Sequence, residues 1–174
     1  ECFMHRRQFF IAAALIPFAA HSSLAAGPMV APVDIVTYFY AFSAGKNGKW
    51  DGPSAFSDAG MRKTYFSKAF LAAIVADERK SQAAGDVGAI DFDPISASQD
   101  PSVKNLVVTP VAATADKATV KAHFNYEVSP KSASADVAYE FVREANAWKL
   151  DNIRIKQSAY PEGDDLRAML AKGG

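Results

Sequence analysis

A chain of 174 residues, 49% of them hydrophobic and 22% charged, holds enough apolar matter for one folded domain and lacks the charge excess of a disordered one. Its 19 basic and 19 acidic residues cancel, which argues against the basic footprint that nucleic acid or anionic lipid selects. The one cysteine is Cys2, so a disulfide within the chain is excluded.

The first segment reads as an export leader. Met4-His5-Arg6-Arg7-Gln8 is a short basic stretch, and Phe9 to Ala20 is apolar but shorter than the ~20 residues a membrane span needs. Pro17 and His21 weaken an anchor further, and Ser23-Leu24-Ala25 provides the small residues of a signal-peptidase exit after Ala25 or Ala26. Residues 1–26 are therefore expected to be a signal peptide, with 1–3 an upstream extension because Met4 stands where a start would. Arg6-Arg7 followed by Gln8, Phe9 and Phe10 resembles a twin-arginine export signal, although His5 replaces the usual Ser or Thr; an ordinary Sec signal is the alternative. The expected location is the periplasm, with no stable membrane insertion after cleavage. Glu1, Cys2, Arg6 and Arg7 leave with the leader, so 17 basic residues face 18 acidic ones and no thiol remains as nucleophile, metal ligand or lipid attachment point.

Residues 27–174 read as a single α+β domain. From Pro32 to Ala44, Val33, Val36 and Tyr40 follow one helical row and Ile35, Phe39 and Phe42 another, so a helix buried over much of its surface is expected, stopped by Gly45. The Gly-Lys pairs of the loop 45–53 lack the spacing and the following Ser or Thr of a phosphate loop. A second helical region runs from Ser57 to Ala84, broken near Phe66-Ser67, with Phe66, Phe70 and Ile74 on its stripe and Gly85 and Gly88 ending it.

Beyond residue 100 the period becomes two. Leu106–Ala113 is apolar enough for a strand covered on both faces, although Pro110 argues for an edge or a bulge. Lys117–Val128 alternates, with Ala118, Val120, Ala122, Phe124 and Tyr126 on one face and Lys121, His123, Asn125 and Glu127 on the other. Asp136–Arg143 and Trp148–Lys156 follow as strands joined by a short turn at Ala145-Asn146, and Asp164 is placed to cap a last short helix. Helices followed by consecutive antiparallel strands predict a curved sheet of about four strands with the helices on one face.

Gly85-Asp86-Val87-Gly88-Ala89-Ile90-Asp91-Phe92-Asp93-Pro94 with Gln99-Asp100 resembles the central motif of the bacterial Domain of Unknown Function family 3828. Trp148-Lys149-Leu150-Asp151-Asn152-Ile153 is similar to the last strand of that family and of the wider nuclear-transport-factor-2-like superfamily. The resemblance covers roughly residues 30–157 and implies a cone-shaped α+β fold and an exported or lipid-anchored envelope protein. It implies no activity, because that fold hosts enzymes, carriers and interaction modules alike.

Three groups of residues could carry function. Asp91, Asp93, Gln99 and Asp100 form an oxygen-rich loop that could suit a hard cation or a partner, or simply set a turn. An EF-type calcium loop is not met, since Ile95 occupies a ligand position and no closing Glu follows. His123, the one histidine after the leader, excludes a histidine metal cluster within the chain; with Asp151 or Glu140 it could act as a general base if its strand face lined a cavity. Tyr38, Tyr139 and Trp148 could rim an apolar pocket or fill the core. No cofactor or metal is expected. The expectation is a non-catalytic binding module for an envelope protein or a small apolar ligand, the alternative being an acid-base enzyme of hydrolase or isomerase type built on His123.

Overall fold

The computed structural model describes residues 29–128 and 131–173, so the expected leader and cleavage site lie outside the described residues. Helix α1 (Pro32–Ala44) begins with proline in its first turn and ends at Gly45, whose φ of 68° suits glycine. Helices α2 (Ala59–Tyr65) and α3 (Lys68–Ala84) are separated at the expected break, where Phe66 and Ser67 are extended. Asp58 caps α2 by accepting from Met61 N, and Ser67 caps α3 by accepting from Phe70 N. Gly85 closes α3 in the left-handed conformation, φ 67°.

The strands β1 (Lys104–Ala113), β2 (Lys117–Val128), β3 (Lys131–Glu144), β4 (Ala147–Gln157) and β5 (Asp164–Asp165) form one antiparallel sheet in the order β1-β2-β3-β4-β5. The β3–β4 turn places Ala145 and Asn146 at φ 48° and 63°, the primed geometry that matches strand twist. Two expectations are corrected here. β1 is an edge strand exposed along most of its length, not one covered on both faces; its register shifts on either side of the Val107–Pro110 stretch, and Asn105 takes φ 53° at the first shift. The sheet has a fifth strand, too short to show a period, and α4 (Leu166–Gly173) is capped by Asp165, which accepts from Ala168 N, in place of Asp164.

Among the described residues four helices pack on one face of the sheet, α1 over β1 and β2, and α2, α3 and α4 over β4. Ala122, Phe124, Val137, Tyr139, Phe141, Leu150 and Ile153 turn that face inward and are essentially solvent-free. They meet Val36, Phe39, Tyr40 and Phe70 from the helices, each large side chain contributing about 1.5–3 kcal/mol by leaving water. Tyr40 stands edge-on to Phe124 and Tyr139, and Phe66 stacks on Phe70 at 5.5 Å. The other face carries Lys121, His123, Asp136, Glu140 and Arg154 and is open to water. Among the described residues no helix is long and apolar enough to cross a membrane.

Candidate functional site

The segment from Gly85 to Asp100 has almost no regular structure, yet it is pinned throughout. Asp93 holds its centre. Its carboxylate accepts from Ser54 Oγ at 2.6 Å, Ile95 N at 3.2 Å, Ser96 N at 3.3 Å and Ser96 Oγ at 3.0 Å. Asp93 and Ser98 also exchange backbone hydrogen bonds, so the turn that Asp93-Pro94 predicts is present and closed. Gln157 Nε2 donates to Ala97 O at 2.9 Å while its Oε1 accepts from Tyr126 OH at 2.7 Å, tying the loop to β4 and β2. At the other end Ala89 N donates to Asp77 Oδ2 at 2.9 Å. A Cβ at position 88 would lie 2.6 Å from that oxygen, so only glycine lets the loop approach α3 this closely.

Two open clefts flank this segment, and Phe92 borders both. The first, of about 380 Å³, has a floor of Phe56, Ile74, Ile90, Phe92 and Leu170 and a rim that includes Arg62, Asp77, Glu78 and Asp86. Arg62 is fully engaged there: Nε donates to Phe56 O at 2.6 Å, an Nη donates to Glu78 at 2.7 Å, and the guanidinium lies 5.4 Å over the Phe56 ring. The second cleft, of about 660 Å³, is lined by Asp91, Gln99, Asp100, Tyr126, Glu127 and Tyr160 among others. Burial raises the Tyr126 hydroxyl above its ordinary range, and the Lys104 ammonium bonded to Glu127 holds that carboxyl below its own.

The residues singled out from sequence fall in four places. Asp91, Gln99 and Asp100 are brought together on the second cleft, where Gln99 Nε2 donates to Asp91 O at 3.2 Å. Asp93 is committed to the loop's own turn. Tyr139 is buried in the core and donates to Tyr40 OH at 3.0 Å, and Trp148 is nearly buried with the Arg143 guanidinium 5.8 Å from its ring. Tyr38 is exposed on α1, edge-on to Phe42 and Tyr65. None of these last three borders the two clefts.

His123 is not brought to Asp151 or Glu140. Its Nδ1 pairs with Asp136 across the β2–β3 register at 2.8 Å, on the open face, with the His side chain 47% exposed. The imidazole bonded to it, with Lys121 at 3.6 Å, keeps the Asp136 carboxyl below the usual range. Asp151 instead accepts from Ser67 Oγ at 2.5 Å, and Glu140 meets Arg154 at 3.0 Å and Asn152 at 3.1 Å. Among the described residues no group of three or more His, Cys, Asp or Glu is placed to hold a metal ion.

Sequence reasoning passes over Phe56 and Arg62 and takes the mixed run Asp77-Glu78-Arg79-Lys80 for a solvated helix end; Asp77 is instead buried, and α3 continues to Ala84. One signal was present: Asp77 continues the Phe70–Ile74 stripe at the next helical step, where an apolar residue would be expected, and it is 6% exposed. Compared with family models, with curated proteins and with solved structures, the chain matches none of them.

Proposed function

We propose that residues 27–174 are a non-catalytic binding module that acts in the periplasm after export, with the face built around residues 85–100 as its contact surface and an envelope protein as its partner. The observation that carries this reading is the pinned loop between two open clefts, a rigid surface prepared in advance and thus bound at low ordering cost. An apolar small molecule inside the fold is less well supported, because the sheet's inner face is filled by interlocking aromatic rings. Kinship with the Domain of Unknown Function family 3828 and its cone-shaped superfamily rests on the two motifs quoted above and agrees with helices on one side of an antiparallel sheet. Acid-base catalysis through His123 is the weaker reading, since its ring and Asp136 stand on the water-facing side of the sheet, outside both clefts.

A photo-crosslinking side chain at Gln82, on the first cleft, is expected to trap one envelope protein in intact cells, and the same group at Ala138 on the open sheet face to trap none. Equal trapping from both positions, or none from Gln82, would overturn the contact surface. The export route is tested separately: replacing Arg6 and Arg7 together by lysine is expected to hold the full-length precursor inside the cell. Unchanged export would assign the leader to the Sec route.

A further inference from the structure

We infer that the first cleft receives a basic side chain of a partner polypeptide, an arginine or lysine flanked by aliphatic residues, with its charge seated over Asp77. This rests on the reading of the domain as a binding module and adds the chemistry of what is bound.

Asp77 is the first ground. Its carboxylate is almost wholly buried, and it borders both the 380 Å³ cleft and an adjoining one of about 290 Å³. The backbone of Gly88 and the end of α4 at Gly173 close around it so tightly that a Cβ at either would lie within 2.6 or 2.9 Å of its oxygens. Among the described residues no lysine or arginine forms an ion pair with it, and Lys80 one turn on donates instead to Gly173 O. Among the described residues this carboxylate accepts one backbone hydrogen bond and forms no ion pair, so a cation entering from the cleft adds a charged partner.

Charge distribution is the second ground. In a chain whose charges cancel, the first cleft carries Asp77, Glu78 and Asp86 against Arg62, which is already bonded to Glu78. The second adds Asp91, Asp100 and Glu127, the last paired with Lys104. On the opposite, open face of the sheet Lys121 meets Asp136 and Arg154 meets Glu140 and Asp165, so charge there is largely balanced. The surplus of carboxylates on the loop face steers a basic segment there. The apolar floor completes the fit: Ile74, Ile90 and Leu170 suit the methylene stem of arginine or lysine, and Phe56 and Phe92 suit flanking aliphatic side chains.

The test uses the full chain and a blocked pentapeptide of alternating leucine and arginine. Calorimetry is expected to show binding that weakens with salt, and amide spectra to shift at Ser81, Gly88 and Ala89. The variant Asp77→Asn can keep the Ala89 hydrogen bond through its amide oxygen while removing the charge, and is expected to weaken binding by roughly tenfold or more. Because Asp77 is buried, a thermal melt accompanies that variant, and Asp86→Asn on the exposed rim, expected to weaken binding by a few-fold, decides the matter if the first fails to fold. The inference is overturned if the citrulline version of the peptide binds as tightly. It is also overturned if spermidine alone reproduces the same shifts, or if the shifts fall around Lys121 and Asp136. A partner crosslinked from Gln82 that presents an acidic surface would sink the basic occupant while leaving the binding module standing.

Discussion

The Asp93 carboxylate accepts four hydrogen bonds from Ser54, Ile95 and Ser96, all of them within the fold. Truncation to alanine leaves Ile95 N and Ser96 N without their acceptor and is expected to lower stability by about 2–3 kcal/mol in urea, whereas Ser54→Ala removes one bond and costs about 1 kcal/mol. Asp136 makes the opposite kind of contribution, small and tied to pH. Its folded carboxyl is held below its unfolded range by the His123 hydrogen bond, then by Lys121. The stability it adds is therefore present above about pH 4, where the unfolded chain is already ionised, and is lost as acid protonates the folded group. Both partners are nearly half exposed, so Asp136→Asn should cost under about 1 kcal/mol at neutral pH and nothing below the folded titration, in paired denaturation curves at the two conditions. The turn at Asp93-Pro94 was legible because aspartate before proline specifies it locally. The partner of His123 was not, because it depends on the β2–β3 register, which twelve residues of alternation leave open to several alignments.

At the scale of elements, α3 depends on Ser67, which caps Phe70 N, bonds Asp151 and donates its own N–H to Leu150 O at 2.8 Å. Ser67→Ala is expected to cost about 1–2 kcal/mol, read from urea melts, with earlier amide exchange in the first turn of α3. Helix α1, the α2–α3 break and the span of β2 were all legible, since apolar period and breakers act over a few residues. Exposure of β1 was only half legible: its apolar run says strand, and only Pro110 says edge. β3 extends beyond the expected Asp136–Arg143 because small residues such as Ser132, Ala133 and Ser134 carry little strand signal and are held by pairing with β2. The first cleft was illegible for a related reason. Arg62, Asp77, Ile90 and Leu170 come from four separate stretches that only the packed fold brings together.

Across the whole molecule one link between the two layers is a buried hydroxyl pair, Tyr139 OH donating to Tyr40 OH from β3 to α1. Burial pushes both phenols well above their ordinary range. Both are acids kept neutral in the fold, so their contribution is complete below about pH 10 and is lost as alkali ionises the unfolded chain preferentially. Absorbance titration is expected to show Tyr40 and Tyr139 ionising only together with loss of near-ultraviolet circular dichroism; ionisation of this pair before unfolding would contradict the packed interface.

The two sheet margins have a consequence for solubility. A long free strand would offer an unbroken row of donors and acceptors to a neighbouring molecule, the route by which sheets stack into fibrils. Here one margin is interrupted by the imino nitrogen of Pro110 and by two register shifts, and the other is a strand of two residues. Restoring a donor with Pro110→Val is expected to promote concentration-dependent aggregation relative to the parent chain on size exclusion, with thioflavin fluorescence rising alongside.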